Sequence, residues 1–164
     1  MAKSKLKDYI YRPEFECMTR TEMENLQSER LRKTVELVYN NCKPYRAKMD
    51  EFKIKPSDIK SVSDLTKLPF TVKHDLREAY PFGFYSSPSR DIVEVHASSG
   101  TTGKLTVVGY TQNSIDVWAE IAARSLAMAG VTKDSLVHVA YGYGLFTGGL
   151  GAHYGAQKIG ASTV

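Results

Sequence analysis

Eleven of the twelve glycines lie beyond residue 90, whereas residues 1–90 carry 18 of the 22 Lys/Arg and 13 of the 18 Asp/Glu. No other feature constrains the fold as strongly. A charged, glycine-poor stretch with helical apolar spacing predicts small helices with wet outer faces. A glycine-rich stretch with few charges predicts buried strands joined by tight turns. The expected fold class is therefore α/β: an N-terminal helical microdomain over residues 1–90, then the start of an α/β domain over 91–164, incomplete at its C-terminus.

Within the first half, Thr19-Arg-Thr-Glu22 and Thr21-Glu-Met-Glu24 both fit a capping box. Met23, Leu26, Leu31, Val35, Val38 and Cys42 then trace one helix face. Pro44 opens a second short helix running to Phe52. Ser61-Val-Ser-Asp64 and Thr71-Val-Lys-His-Asp75 read as starts of two more, separated by Pro69. His74, among Lys73, Asp75 and Arg77, reads as a solvated helix residue. No catalytic residue is identifiable in this half.

The second half has a strand–helix–strand–helix rhythm. Asp91–Ala97 alternates as a strand, and Leu105–Thr111 is β-branched and extended. Thr111 caps a helix whose expected inner face is Ile115, Trp118, Ile121, Ala122, Ser125, Leu126 and Ala129, with Gly130 as its stop. Ser135–Ala140 reads as a buried strand, and a helix near Gly149–Ile159 ends at Gly160. Ala161–Val164 begins a further strand, so the chain carries half of a βαβ unit and reads as a fragment of a larger protein. His96 and His138, on the expected strands, read as inward-facing. His153 faces either a pocket or the core. Trp118 and Met23, Met49 and Met128 read as packing.

Between the first two strands lies Ser98-Ser-Gly-Thr-Thr-Gly-Lys104, with four hydroxyls, two glycines and one lysine. Glycines let backbone N–H groups converge, and hydroxyls with an ammonium complete a site for phosphate oxygens. A polar hairpin loop would share this composition. The Walker pattern fails: Ser98 stands where its first glycine would be, and Leu105 follows the lysine in place of Ser or Thr. Its context fails too, because a Walker loop leads from a strand into a helix.

Ser98-Ser-Gly-Thr-Thr-Gly103 resembles the phosphate-binding loop of the adenylate-forming superfamily. The longer string His96–Lys104, followed by Thr106-Val-Val-Gly-Tyr-Thr-Gln112, resembles its phenylacetate–coenzyme A ligase branch. Leu105 departs from the proline usual there, and Thr106 stands where many superfamily members have lysine. The resemblance implies that Ser98, Ser99, Gly100, Thr101, Thr102, Gly103 and Lys104 bind the phosphates of ATP. It implies ATP, Mg2+ and coenzyme A as cofactor or co-substrates, a small aryl acid as substrate, and a homodimer at full length. It also implies that 91–164 is the first part of an ATP- and acid-binding α/β domain, and that the catalytic lysine, adenine-binding and coenzyme A-binding residues lie beyond Val164.

Tyr141-Gly-Tyr-Gly-Leu-Phe-Thr-Gly-Gly-Leu-Gly151 follows a strand's C-terminal end, where open α/β sheets place ligands. Glycines admit a flat ring and aromatics offer faces for stacking. A plain strand-to-helix turn with core aromatics fits as well. The resemblance assigns Tyr141, Gly142, Phe146, Gly148 and Gly149 to the aryl-acid pocket, with Tyr143 as a further candidate.

The remaining composition mainly excludes. A net charge of +4, with basic residues interleaved with acids, gives no nucleic-acid footprint. No apolar run is long enough for a membrane span, and the N-terminus has no apolar signal region. Cys17 and Cys42, without metal-ligand spacing, fit a reducing cytoplasm and no metal site. The expectation is part of an AMP-forming aryl-acid–CoA ligase, inactive alone. An acyl-protein synthetase, a phosphate-transferring NTPase and a non-catalytic binding module are the alternatives.

Overall fold

The computed structural model describes residues 10–98 and 105–164. In chain order these form helices α1 (Pro13–Glu16), α2 (Arg20–Asn41), α3 (Lys43–Glu51) and α4 (Lys73–Glu78), then strands β1 (Ile92–Ala97) and β2 (Val107–Thr111). Helix α5 (Gln112–Met128), strand β3 (Leu136–Val137), helix α6 (Gly148–Ile159) and strand β4 (Ser162–Thr163) follow. Two compact units result: Met18–Gly109, and Tyr110–Val164 together with the described residues up to Cys17.

In the first unit, α2 starts at the first of the two capping boxes read from sequence, with Thr21 inside the helix. Thr19 Oγ1 accepts from the Glu22 amide at 3.3 Å, and Glu22 Oε2 accepts from the Thr19 amide at 2.8 Å. Both bonds satisfy N–H groups that a helix start leaves orphaned. The predicted face is the one buried: Val35, Met49 and Ile59 form a core flanked by Leu31, Tyr39, Tyr45, Ile54 and Leu68. Asp64 accepts from the amides of Lys60 and Ser61, and starts a short 3-10 helix at Val62–Lys67, where a short helix was expected. Asp75 accepts from the Val72 amide at 2.7 Å and starts α4. His74 is exposed, as predicted. Strands β1 and β2 pair with each other.

In the second unit, α5 is capped by Thr111 Oγ1, which accepts from the Ser114 amide at 3.2 Å. Gly130 (φ 95°) and Gly160 (φ 90°) end α5 and α6 in the left-handed region, where a Cβ would be strained. The fully buried stripe of α5 is Ala119, Ala123 and Ala127, which corrects the expected inner face in part: its Ile115, Trp118, Ala122 and Leu126 are half-buried. Ile121, Ser125 and Ala129 are exposed, and so is Met128. Helix α6 approaches closely here: its Gly155 lies against Ala122 and Ala123, and its Gly151 against the Trp118 indole.

β3 and β4 pair in parallel, Leu136 opposite Ser162 and Val137 opposite Thr163, extended by a Val139 N–H bond to the Val164 carbonyl at 2.7 Å. The expected burial of this strand holds on one side of the pleat only. Residues 135, 137 and 139 are half-buried, while Leu136, His138 and Ala140 alternate onto the open face. His138 therefore faces outward, against expectation.

Candidate functional site

β1 delivers the chain to Ser98 with His96 and Ala97 buried behind it. The Ser98 amide donates to the Thr106 carbonyl at 3.0 Å, and the Thr106 amide donates to Ser98 Oγ at 3.2 Å. The two bonds close the base of the polar loop between two paired strands, the connection expected from sequence. Ser98 Oγ thus serves the loop's own closure and keeps its hydroxyl proton for one further acceptor. Ser99, Gly100, Thr101, Thr102, Gly103 and Lys104 lie outside the described residues.

On β1 the side chains alternate: Val93 and Val95 are exposed, while Glu94 is half-buried and His96 buried. His96 Nε2 meets Glu94 Oε1 across one pleat. Behind β2, Tyr85 rests on Gly109; a Cβ there would stand 2.5 Å from the Tyr85 ring. Burial of that phenol raises its pKa. The one glycine inside a β-branched strand was the available signal for this close approach. The Thr106 hydroxyl is buried and has no hydrogen-bond partner among the described residues.

The aromatic glycine-rich segment has a different character. Tyr141, Tyr143, Leu145 and Phe146 are all more than half exposed. Gly148 and Gly149 give clearance to the chain itself. A Cβ on Gly148 would lie 2.7 Å from the Tyr141 ring, and one on Gly149 would lie 2.9 Å from the Gly142 carbonyl oxygen. Gly142 has nothing within 4 Å of a built Cβ. Tyr143 hydrogen-bonds His153 Nδ1 at 3.0 Å, ring edge to ring face. His153 thus takes a partner from the glycine-rich segment.

A cleft of about 560 Å³ lies between α5 and α6, lined by Tyr110, Ser114, Val117, Trp118, Ile121, Thr147, Gly148, Gly151 and Ala152. Of the five residues assigned to the acid from sequence, only Gly148 lines it. Trp118 stacks on Tyr110 with ring centres 5.4 Å apart and meets Tyr154 edge-on at 5.9 Å. The wall is apolar and aromatic, suited to a flat hydrophobic group. Trp118 packs, as expected, and also lines this cleft. Among the described residues no three His, Cys, Asp or Glu side chains gather as a metal site, and no helix is long and apolar enough to cross a membrane.

No protein-family model matches the chain. It is 54% identical over 143 residues to the phenylacetate–coenzyme A ligase of Escherichia coli, covering 87% of this chain. It is 50% identical over 155 residues to that of Thermus thermophilus, covering 94% of this chain. The chain spans about a third of the length of these curated relatives. Among solved structures, 2-hydroxyisobutyryl-CoA ligase with 2-HIB-AMP and CoA in the thioesterification state matches with a TM-score of 0.89 at 30% identity, over 96% of this chain and 34% of the other. The same ligase in the postadenylation state matches with a TM-score of 0.81, over 89% of this chain and 31% of the other.

Proposed function

We propose that this chain, which belongs to the phenylacetate–coenzyme A ligase family, forms part of the ATP- and acid-binding region of an AMP-forming aryl-acid–CoA ligase. In this reading residues 1–90 are the helical microdomain and 91–164 the first part of the α/β domain. The acid's carboxylate attacks the α-phosphate of MgATP to give acyl-AMP and pyrophosphate. The coenzyme A thiol then displaces AMP and forms the thioester.

An anionic nucleophile approaching a triphosphate must have its repulsion neutralised and its direction held. Ser98, Ser99, Gly100, Thr101, Thr102, Gly103 and Lys104 take the first task, with Lys104 as the point charge and the amides and hydroxyls as donors. Tyr141, Gly142, Phe146, Gly148 and Gly149 take the aryl acid, with Tyr143 beside them. Mg2+ arrives with the nucleotide as part of the substrate. The full-length protein acts as a cytoplasmic homodimer in this reading, consistent with Cys17 and Cys42 as free thiols.

One observation carries the proposal: a hydroxyl-, glycine- and lysine-bearing loop is tied at its base by the reciprocal Ser98–Thr106 bonds. The test is pyrophosphate–ATP exchange by the full-length protein with a panel of carboxylic acids. Exchange that depends on an aryl acid is expected. Exchange driven by long-chain acids alone, or by none, overturns the reading.

A further inference from the structure

The inner face of β1 carries a polar pair. Ile92, Glu94 and His96 point one way and Val93 and Val95 the other, yet the polar pair is the one turned inward. The His96 side chain is 2% exposed and that of Glu94 20%, while Val93 remains 56% exposed. Withdrawing an imidazole and a carboxylate from water costs free energy unless they bond to each other, and a β-branched apolar residue at either position would suit a strand better. Two residues further on, Ser98 engages Thr106 through both its amide and its hydroxyl oxygen.

We propose that His96 is a positioning residue for nucleotide binding: held by Glu94 across one pleat, it sets the direction in which the chain leaves β1 at Ser98. The inference rests on the reading of 98–104 as a phosphate loop and adds a residue outside that loop. The His96 Nε2–Glu94 Oε1 contact ties the two side chains together across Val95. The Ser98–Thr106 bonds then fix the loop's two ends against each other. A loop that presents N–H groups to phosphate loses affinity when its ends wander, because binding must then order them. In this role His96 acts through the backbone that leads into Ser98.

The test is steady-state pyrophosphate–ATP exchange by the full-length enzyme with His96→Gln and His96→Leu. Gln offers an amide nitrogen at the reach of Nε2, whereas Leu fills similar space without a donor. His96→Leu is expected to raise the KM for ATP about tenfold, in line with a lost buried polar bond, and to leave the KM for the acid unchanged. His96→Gln is expected to stay within about threefold of the unmodified enzyme, since it keeps the bond. Should His96→Leu fail to fold, Glu94→Gln weakens the pair from the other side, and the same selective rise in the KM for ATP is expected.

An unchanged KM for ATP, with or without a fall in kcat, would overturn the inference, because a merely structural role lowers the active fraction and spares both KM values; equal rises for both substrates would overturn it too, because the effect would not be selective for the nucleotide. Absence of acid-dependent exchange in the unmodified enzyme overturns the underlying reading and this inference with it. Exchange by the unmodified enzyme with indifferent variants sinks the inference alone.

Discussion

Gly155 of α6 lies against Ala122 of α5 so closely that a Cβ built on it would stand 2.6 Å from the Ala122 Cβ and 2.8 Å from its carbonyl carbon. The two helices therefore meet nearly backbone to backbone, and Ala123 beneath the crossing is fully buried. A neighbour that is main chain has no rotamer into which it can retreat.

Gly155→Ala is thus expected to destabilise the protein by about 1–3 kcal/mol, even though alanine favours a helix interior by about 1 kcal/mol. For a chain of this size that lowers Tm by roughly 2–4 °C per kcal/mol. Gly142→Ala, with nothing within 4 Å, is the matched control and leaves Tm unchanged. Thermal unfolding of the two variants side by side decides; an unaltered Tm for Gly155→Ala would contradict the crossing geometry.

Gly151 makes room for an indole in the same way, because a Cβ there would lie 2.6 Å from Trp118 Cζ2. Gly151→Ala is expected to push Trp118 off its stack with Tyr110. The chain has one tryptophan, so its emission spectrum and near-ultraviolet dichroism report this displacement directly. A spectrum identical to that of the unmodified protein would mean that the ring accommodates the methyl in place.

Asp75 bonds the Lys48 ammonium and accepts from the Val72 amide, and these two bonds hold its carboxyl below the ordinary aspartate range. A carboxyl depressed in the folded state stabilises the fold above its unfolded pKa, about 3.9, and loses that contribution as pH falls through the folded value. The stability gap between the unmodified protein and Asp75→Asn should therefore be full at neutral pH and shrink below about pH 4. Urea titrations at pH 7 and pH 3 measure it; a gap independent of pH would rule out the ionised pair as its source.

Lys104→Ala in the full-length protein should raise the KM for ATP by at least tenfold, the weight of one charge-assisted phosphate contact. The KM for the aryl acid should hold. Nucleotide binding indifferent to this substitution would favour a non-catalytic module over a ligase.

Features that depend on a few neighbouring residues were legible in the sequence. The Thr111 cap and the stops at Gly130 and Gly160 each involve groups within one helical turn, so residue type and spacing suffice to locate them, whereas spacing left the start of α2 between Thr19 and Thr21. The face of α2 that buries Val35 was readable for the same reason, since helical periodicity is local. The link from β1 to β2 through a polar loop followed from two β-branched runs on either side of it. The resemblance to a ligase branch came from a short string around Ser98–Lys104 and agrees with relatives about half identical to the chain.

By itself, then, the sequence determined the helix ends, the two-strand frame of the loop and the family. Tertiary structure alone decided which stripe of α5 is buried, because Gly155 of α6 packs against Ala122 and Ala123, some thirty residues earlier in the chain. It decided that Gly148 and Gly149 clear space for Tyr141 and the Gly142 carbonyl, and that His138 faces outward while His96 is sealed against Glu94. Each outcome depends on which surface covers a given face. Periodicity divides residues between faces, but only the elements packed against them determine which face stays dry.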